Sequence, residues 1–278
     1  MDLTPGYREF APPMWLRATL SCLWIGITSP ARSERTLVLP DGCADLMWYQ
    51  GAPAQLAGPD TGPAPVVAAP GSVIVGARFL PGAGGPVLGL PLTEIADQRT
   101  DPGQLPALRG RMPSPDLPPH LALAALARLV AGLAVDRPAD ESLIGAVRRL
   151  ARPGASADEV AGTLDLSERQ FRRRCQSAIG YGPRTLQRVI RFRRFVSAVD
   201  AAAHAAASAA GPGIAVAAGT AVAAGPGSVV ALSGGRPLPG SLADLAVAAG
   251  YADQPHLTRE CVRLSGLTPA GLVRARLG

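Results

Sequence analysis

Arginine is the residue whose placement carries chemistry in this chain. The stretch SERQFRRRCQSAIGYGP, residues 167–183, holds Arg169, Arg172, Arg173 and Arg174 within six positions, although only 17% of the 278 residues are charged. A guanidinium is a planar fork of donors that can bond guanine O6 and N7 together, or two oxygens of one phosphate. The chain has no lysine, so all 27 cations are arginines; with the surplus of Ala, Gly and Pro this can reflect GC-rich coding, and arginine identity alone decides little. Location decides more. From Arg148 to Arg194 twelve arginines stand against four acids (Asp158, Glu159, Asp165, Glu168), while the rest of the chain has 15 arginines and 17 acids. One segment therefore supplies the whole net charge of +6, the pattern of a localised polyanion footprint. Double-stranded DNA is the partner it implies.

The elements that must position these arginines occur twice. At a separation of 86 residues, Phe171 matches Leu257, Arg173 matches Arg259, Cys175 matches Cys261, Gly180 matches Gly266 and Pro183 matches Pro269. Each copy follows a short helix with an N-cap signal, SADEVAGTL in the first and SLADLAVAAGY in the second. Ser156-x-x-Glu159 and Ser167-x-x-Gln170 are capping boxes, and Gly180 is a helix stop. The pattern predicts two helix-turn-helix pairs, each turning one face of its second helix inward and the opposite face to a DNA major groove. Phe171, Cys175, Ala178 and Ile179 form the first inward stripe, and Leu257, Cys261 and Leu264 the second. Arg169, Arg172, Arg173 and Gln176 then face bases from the first helix, as do Gln254, His256, Thr258 and Arg259 from the second. Arg174, Arg184, Arg188 and Arg191 suit phosphates, which add affinity without sequence information. A long helix behind Pro183 carries Leu186, Val189, Ile190 and Val196 inward.

The rest of the chain organises around this part as an α+β protein. Residues 1–113 are dense in Pro and Gly, with short apolar runs (LSCLWIGI, DLMWYQ, SVIVGARFL) that predict a β-rich effector or dimerisation domain. Residues 114–138 predict a linker helix with Leu121, Leu126, Leu129 and Leu133 near one face. Residues 139–278 form the paired DNA-binding domain, interrupted at 201–237 by a low-complexity insertion of Ala, Gly, Ser, Pro and Val. In the front part, Trp15, Trp24, Trp48 and Tyr49 either line an apolar effector pocket or form core, the latter being the commoner use. Arg78 either clamps an anionic ligand or pairs with Asp41 or Asp45.

The paired units, the first ending GYGP and the second reading AVAAGYADQPHLTRECVRLSGLTP, resemble the AraC/XylS family of transcriptional regulators over residues 139–200 and 238–276. The resemblance implies one polypeptide with two helix-turn-helix units bridged by a long helix, RNA polymerase as a protein partner, and activation or repression of transcription in the bacterial cytoplasm at the nucleoid. Carried over by position, the base-reading places fall on Arg169, Arg172 and Arg173, and on Gln254, His256, Thr258 and Arg259. The front stretch, with YREFAPP, VLPDGCADLMW and VGARFLPGAG, is similar to the front domain of some AraC-like regulators; in the wider family such domains are cupin-like barrels that sense small molecules or form homodimers. Cys175 and Cys261 stand where the family often has phenylalanine, and the insertion separates the two units.

Other classes fit less well. Cys22, Cys43, Cys175 and Cys261 form no C-x-x-C pair, which suggests reduced, buried thiols. No histidine precedes His120, so neither a histidine-built metal site nor a His-assisted nucleophile is expected in the front domain. The expectation is a non-enzymatic protein with no catalytic residues, cofactor or metal. The apolar run LSCLWIGI is too short to span a bilayer, and no membrane partner is expected. The function that follows is a sequence-specific transcription regulator, controlled by an unidentified small-molecule effector or by dimerisation. The alternative is a small-molecule-binding module whose DNA binding the insertion has weakened.

Overall fold

A computed structural model of the chain describes residues 4–209, 229–230 and 241–277. The front part holds β1 (Gly6–Phe10), β2 (Leu20–Ile27), β3 (Glu34–Val38), β4 (Asp45–Tyr49), β5 (Ala52–Ala57), β6 (Ala64–Ala68), β7 (Val73–Phe79), α1 (Gly84–Leu88) and β8 (Arg99–Thr100). Six of these strands form an antiparallel sheet in the order β1-β2-β7-β4-β5-β8. Strand alternation gives the sheet two different faces. Leu23 and Ile25 of β2, Leu46 and Trp48 of β4, and Val75 and Ala77 of β7 are buried on one. Cys22, Trp24 and Met47 pack with Tyr7, Tyr49 and Ile74 on the other.

The first face is covered by α2 (Pro119–Asp136), whose sequence suggests a linker between domains. It is instead a core element of the front domain: Ala122, Leu126, Leu129, Val130 and Leu133 are buried with the sheet's apolar residues. Leu121 is exposed, because five residues before Leu126 on a helix of 3.6 residues per turn places it well round from that stripe. By length and composition alone α2 could cross a membrane. Its apolar stripe is taken up by the sheet.

The rear domain contains α3 (Glu141–Leu150), α4 (Ala157–Gly162), α5 (Glu168–Ile179), α6 (Pro183–Ala209), α7 (Leu242–Ala249), α8 (Gln254–Ser265) and α9 (Pro269–Leu277). Its core is one cluster, and α6 runs through it: Leu186, Val189, Phe192, Phe195, Val196 and Val199 are all fully buried. The alanine-rich opening of the low-complexity stretch extends α6 to Ala209, and β9 (Val229–Val230) pairs antiparallel with β3. The rest of the expected insertion, residues 210–228 and 231–237, lies outside the described residues.

The two domains meet through glycines of the front domain. A Cβ on Gly85 of α1 would lie 2.7 Å from the carbonyl oxygen of Ser177 and 2.9 Å from Cα of Ala178, both backbone atoms of α5. One on Gly42 would lie 3.2 Å from the Tyr181 hydroxyl. Gly85→Ala therefore forces α1 and α5 apart, and overpacking of this kind costs about 1–3 kcal/mol. The expected result is a lower unfolding temperature and a larger radius of gyration by small-angle scattering. An unchanged radius with unchanged stability would mean that the junction does not hold in solution.

Candidate nucleic-acid interface

The 86-residue repeat is a repeat of structure. Its second helices, α5 and α8, are both 12 residues long. Ser167 and Asp253 hold equivalent N-cap positions: Ser167 Oγ accepts from the Gln170 amide, and Asp253 Oδ1 accepts from the His256 amide at 2.6 Å. Gly180 and Gly266 end the two helices in the left-handed region, with φ of 91° and 71°, where a side chain is disfavoured. Pro183 and Pro269 open the helices that follow. Both capping boxes expected in the first unit form, Ser156 with Glu159 and Ser167 with Gln170.

Each second helix turns the expected stripe inward. Phe171, Cys175, Ala178 and Ile179 are buried in the first unit, and Leu257, Cys261 and Leu264 in the second. Burial pushes the Cys175 thiol up to about 12, and that of Cys261, against a hydrogen bond with Ser265, up to about 11. Both are neutral packing groups at pH 7. All four cysteines are free and buried, as their spacing suggests.

The opposite faces carry the polar residues. Arg169, Arg172 and Arg173 are exposed on α5, and Gln254 and Arg259 on α8; Gln176 is half-buried. Thr258 is half-buried and its hydroxyl donates to the Gln254 carbonyl at 2.9 Å, leaving its methyl group for contact. His256 is also half-buried, its ring set edge-on to Tyr251 at 5.2 Å between centroids. Among the described residues, Arg174 and Arg184 make only long ion pairs, each at 3.9 Å, to Asp140 and Glu168, and such exposed pairs are worth little.

Arg188 departs from the expectation of a phosphate contact. Its Nε and Nη2 each donate at 2.7 Å to Glu260 of α8, a two-pronged pair with side chains 23% and 12% exposed. Burial alone would raise the Glu260 carboxyl, but the bonds from Arg188 hold it below the usual carboxylate range. Glu260 is absent from the 86-residue pattern, so sequence comparison between the units gives no sign of the pair. A second pair, Arg276 of α9 with Asp200 of α6, is also largely buried. Together they brace the second unit on α6. Arg191 is likewise half-buried rather than freely exposed.

The front-domain candidates do not form a pocket together. Adjacent strand residues point to opposite faces, so Trp48 and Tyr49 cannot line one site. Trp48 is fully buried on the α2 side, its Nε1 donating to the Ser114 carbonyl at 2.9 Å. Trp15 is exposed, and Trp24 belongs to the other face, bonding Asp45 at 2.7 Å. Tyr49 is half-buried, 3.3 Å from Gln55. Arg78 is buried in a structural role, bonded to Asp45 at 3.1 Å and Glu9 at 3.2 Å, with Asp41 3.6 Å away. These carboxylates hold Arg78 charged against burial. An apolar cleft of about 190 Å³ lies instead at the domain junction, between Asp41, Leu80 and Pro81 of the front domain and Ile144, Val147 and Leu186 of the rear.

Fold and site thus define a two-domain chain, a β-rich front domain followed by a helical domain that mounts two matching helix pairs, α4–α5 and α7–α8, on one core. Residues 8–101, spanning most of the front domain, match a family model described as a domain of unknown function (DUF6597). Two solved structures of ToxT from Vibrio cholerae are similar at 7% identity. The first, from strain O395, gives a TM-score of 0.39 and covers 90% of this chain and 96% of that one. The second, a P21 crystal form at 1.65 Å, gives 0.38 and covers 96% and 98%. No curated protein matches the chain.

The brace between the units has a pH signature. Glu260 has a depressed folded-state pKa, so its contribution is fully present above the ordinary glutamate value of about 4.3 and is lost as pH falls through the depressed value. Glu260→Gln should lower stability at pH 7 by on the order of 1 kcal/mol. Its acid limb should also be shallower in urea unfolding. A variant that follows the parent curve throughout would show that the pair braces nothing.

Proposed function

We propose that this chain is a non-enzymatic, sequence-specific DNA-binding regulator of transcription. The observation that carries the reading is the equivalence of α5 and α8: same length, same caps, apolar faces buried in one core and polar faces exposed. Two such helices on a single scaffold suit successive major grooves, about one DNA turn or 34–36 Å apart.

The roles follow from exposure. Arg169, Arg172 and Arg173 read bases from the first unit, guanine O6 and N7 being the natural targets; Gln254 and Arg259 read from the second, with Gln254 matched to adenine. Gln176 and His256 stand at the margins of their faces, half-buried. Thr258 offers a methyl group to thymine, because its hydroxyl is already bonded within the helix. Arg174 and Arg184 take phosphates, exchanging weak pairs for charge-assisted bonds. Arg188 leaves this set as an internal brace. The partners in this reading are double-stranded DNA and, through regulation, RNA polymerase, in the cytoplasm.

Control by the front domain has a physical route. The loop between β5 and β6 meets the far ends of both reading helices: a Cβ on Gly180 would lie 2.5 Å from Cγ of Pro59, and one on Gly266 would lie 3.8 Å from Cγ of Pro63. The loop is tied down, since Asp60 receives two bonds from Arg99 at 2.9 and 2.7 Å and Asp97 receives two from Thr61 at 2.6 and 2.8 Å. An effector or a second copy bound to the front domain would shift both helices through it.

The test is a binding-site selection from randomised duplexes, followed by titration of two variants. Arg173→Ala should lose about 1–3 kcal/mol on the selected site and much less on random DNA. Arg184→Ala should weaken both equally and reduce the salt slope by about 1. Equal losses on both duplexes for both variants, or no selected sequence, would refute the reading.

A further inference from the structure

Three arginines converge where the two units meet. Arg191 and Arg194 on α6 and Arg152 in the turn between α3 and α4 line a cleft of about 210 Å³, together with Gly250 at the end of α7. Gln187 stiffens one wall, its Nε2 donating to the Ala155 carbonyl at 2.7 Å. Gly250 lies against the arginines: a Cβ there would sit in ordinary contact, 3.7 Å from Nη1 of Arg194 and 3.8 Å from Cδ of Arg191. Its φ of +89° also reserves the position for glycine.

The charge of this cleft is unmatched. Among the described residues no Asp or Glu lines it. Among the described residues, none of the three guanidinium groups makes an ion pair or donates a hydrogen bond, and Nε of Arg191 is buried with no partner at all. Glu260, which shares the surroundings of Tyr251 with Arg191, has both oxygens occupied by Arg188. Elsewhere on the same helix the rule is different: Arg188 has Glu260, and Arg276 reaches in to Asp200. A buried donor left unbonded is costly, and like charges side by side repel. An arriving anion would relieve both.

We infer that this cleft binds a phosphoryl group. Planar guanidinium forks match the oxygens of a phosphate in pairs, and three of them can neutralise more than one negative charge. The cleft is smaller than the 300–1,000 Å³ typical of sites for drug-sized ligands, so it suits a phosphate or pyrophosphate moiety and not a complete apolar effector. Its walls come from the first unit's α3–α4 turn, from α6 and from Gly250 of the second unit. A phosphoryl group held there fastens the two units to each other. The group can belong to the DNA backbone, which rests on the DNA-binding reading above, or to a free phosphorylated molecule, which does not.

The experiment has one arm for each source. In the first, the full-length protein without DNA is melted in inorganic pyrophosphate and in sodium chloride of equal ionic strength. In the second, DNA affinity is titrated against salt. The variants are Arg191→Gln with Arg194→Gln, and Arg152→Gln alone, an exposed position whose change leaves folding intact. A saturable rise in unfolding temperature with pyrophosphate, absent in chloride and lost in the variants, establishes a free phosphoryl ligand. No pyrophosphate effect, but a loss of about 0.9 in the salt slope for each contact removed, establishes a backbone phosphate. If neither appears, or the variants respond as the parent does, the inference is overturned. Should DNA binding fail altogether, the pyrophosphate arm still decides this site, and the two readings fall separately.

Discussion

The structure depends on one shared burial: α5 and α8 both pack their apolar faces into the core built around α6. Phe171, Cys175, Leu257 and Cys261 are fully buried there beside Phe192, Phe195, Val196 and Val199. Truncating a core residue of this size costs about 2–5 kcal/mol, so neither helix can roll about its own axis without losing a large share of domain stability. The exposed faces are then determined by exclusion. Arg169, Arg172 and Arg173 point outward because Phe171 and Cys175, on the same twelve-residue helix, must point inward. The burial of one face and the exposure of the other are a single constraint.

That constraint also sorts the arginines. Those on the sides of α5 and α8 away from the core are exposed. On α6 the roles divide: Arg184 is exposed, whereas Arg188, beside the second unit, has its charge used internally. Arg188 meets Glu260 with two short bonds, and Asp200 receives Arg276 where both side chains are largely buried. Buried ion pairs add little net stability, since desolvation offsets much of the attraction, but removing one partner is expensive. Such pairs therefore hold geometry. Here the geometry held is the placement of α8 and α9 on α6, which sets how the second unit sits relative to the first.

Much of this was legible in the amino-acid sequence, for a reason that also marks its limit. Caps, helix stops and inward stripes are local, and the 86-residue repeat displays each twice; Ser167, Gly180 and Pro183 occupy the places their types suggest. The partners of long side chains are not local. Arg188 and Glu260 are 72 residues apart, and nothing in either neighbourhood reports the other. For the same reason the sequence shows a cluster of arginines but not which of them converge: Arg152 reaches the cleft of Arg191 and Arg194 only through the fold. In the front domain the limit is of another kind. The sequence leaves pocket and core both open for Trp48 and Tyr49, and strand alternation decides by placing them on opposite faces; the apolar stripe of α2 suggests a linker because it does not say which surface it meets.

The glycines that end α5 and α8 do more than stop a helix. Gly180 and Gly266 are helix stops by their positive φ, a task fulfilled entirely within the chain's local backbone. The missing side chain of Gly180 also lets Pro59 of a front-domain loop approach the end of α5, and Pro63 of the same loop lies beside Gly266 at the end of α8. One end of each helix is thus committed to the front domain, while the other, with its cap and its exposed polar residues, is left for a partner. Packed elements move as rigid bodies more readily than they deform, and both helices share one core, so on the proposed reading a displacement of the loop would act on α5 and α8 as one unit. On the proposed reading, a regulator built this way would change which DNA it fits without any front-domain residue approaching the duplex.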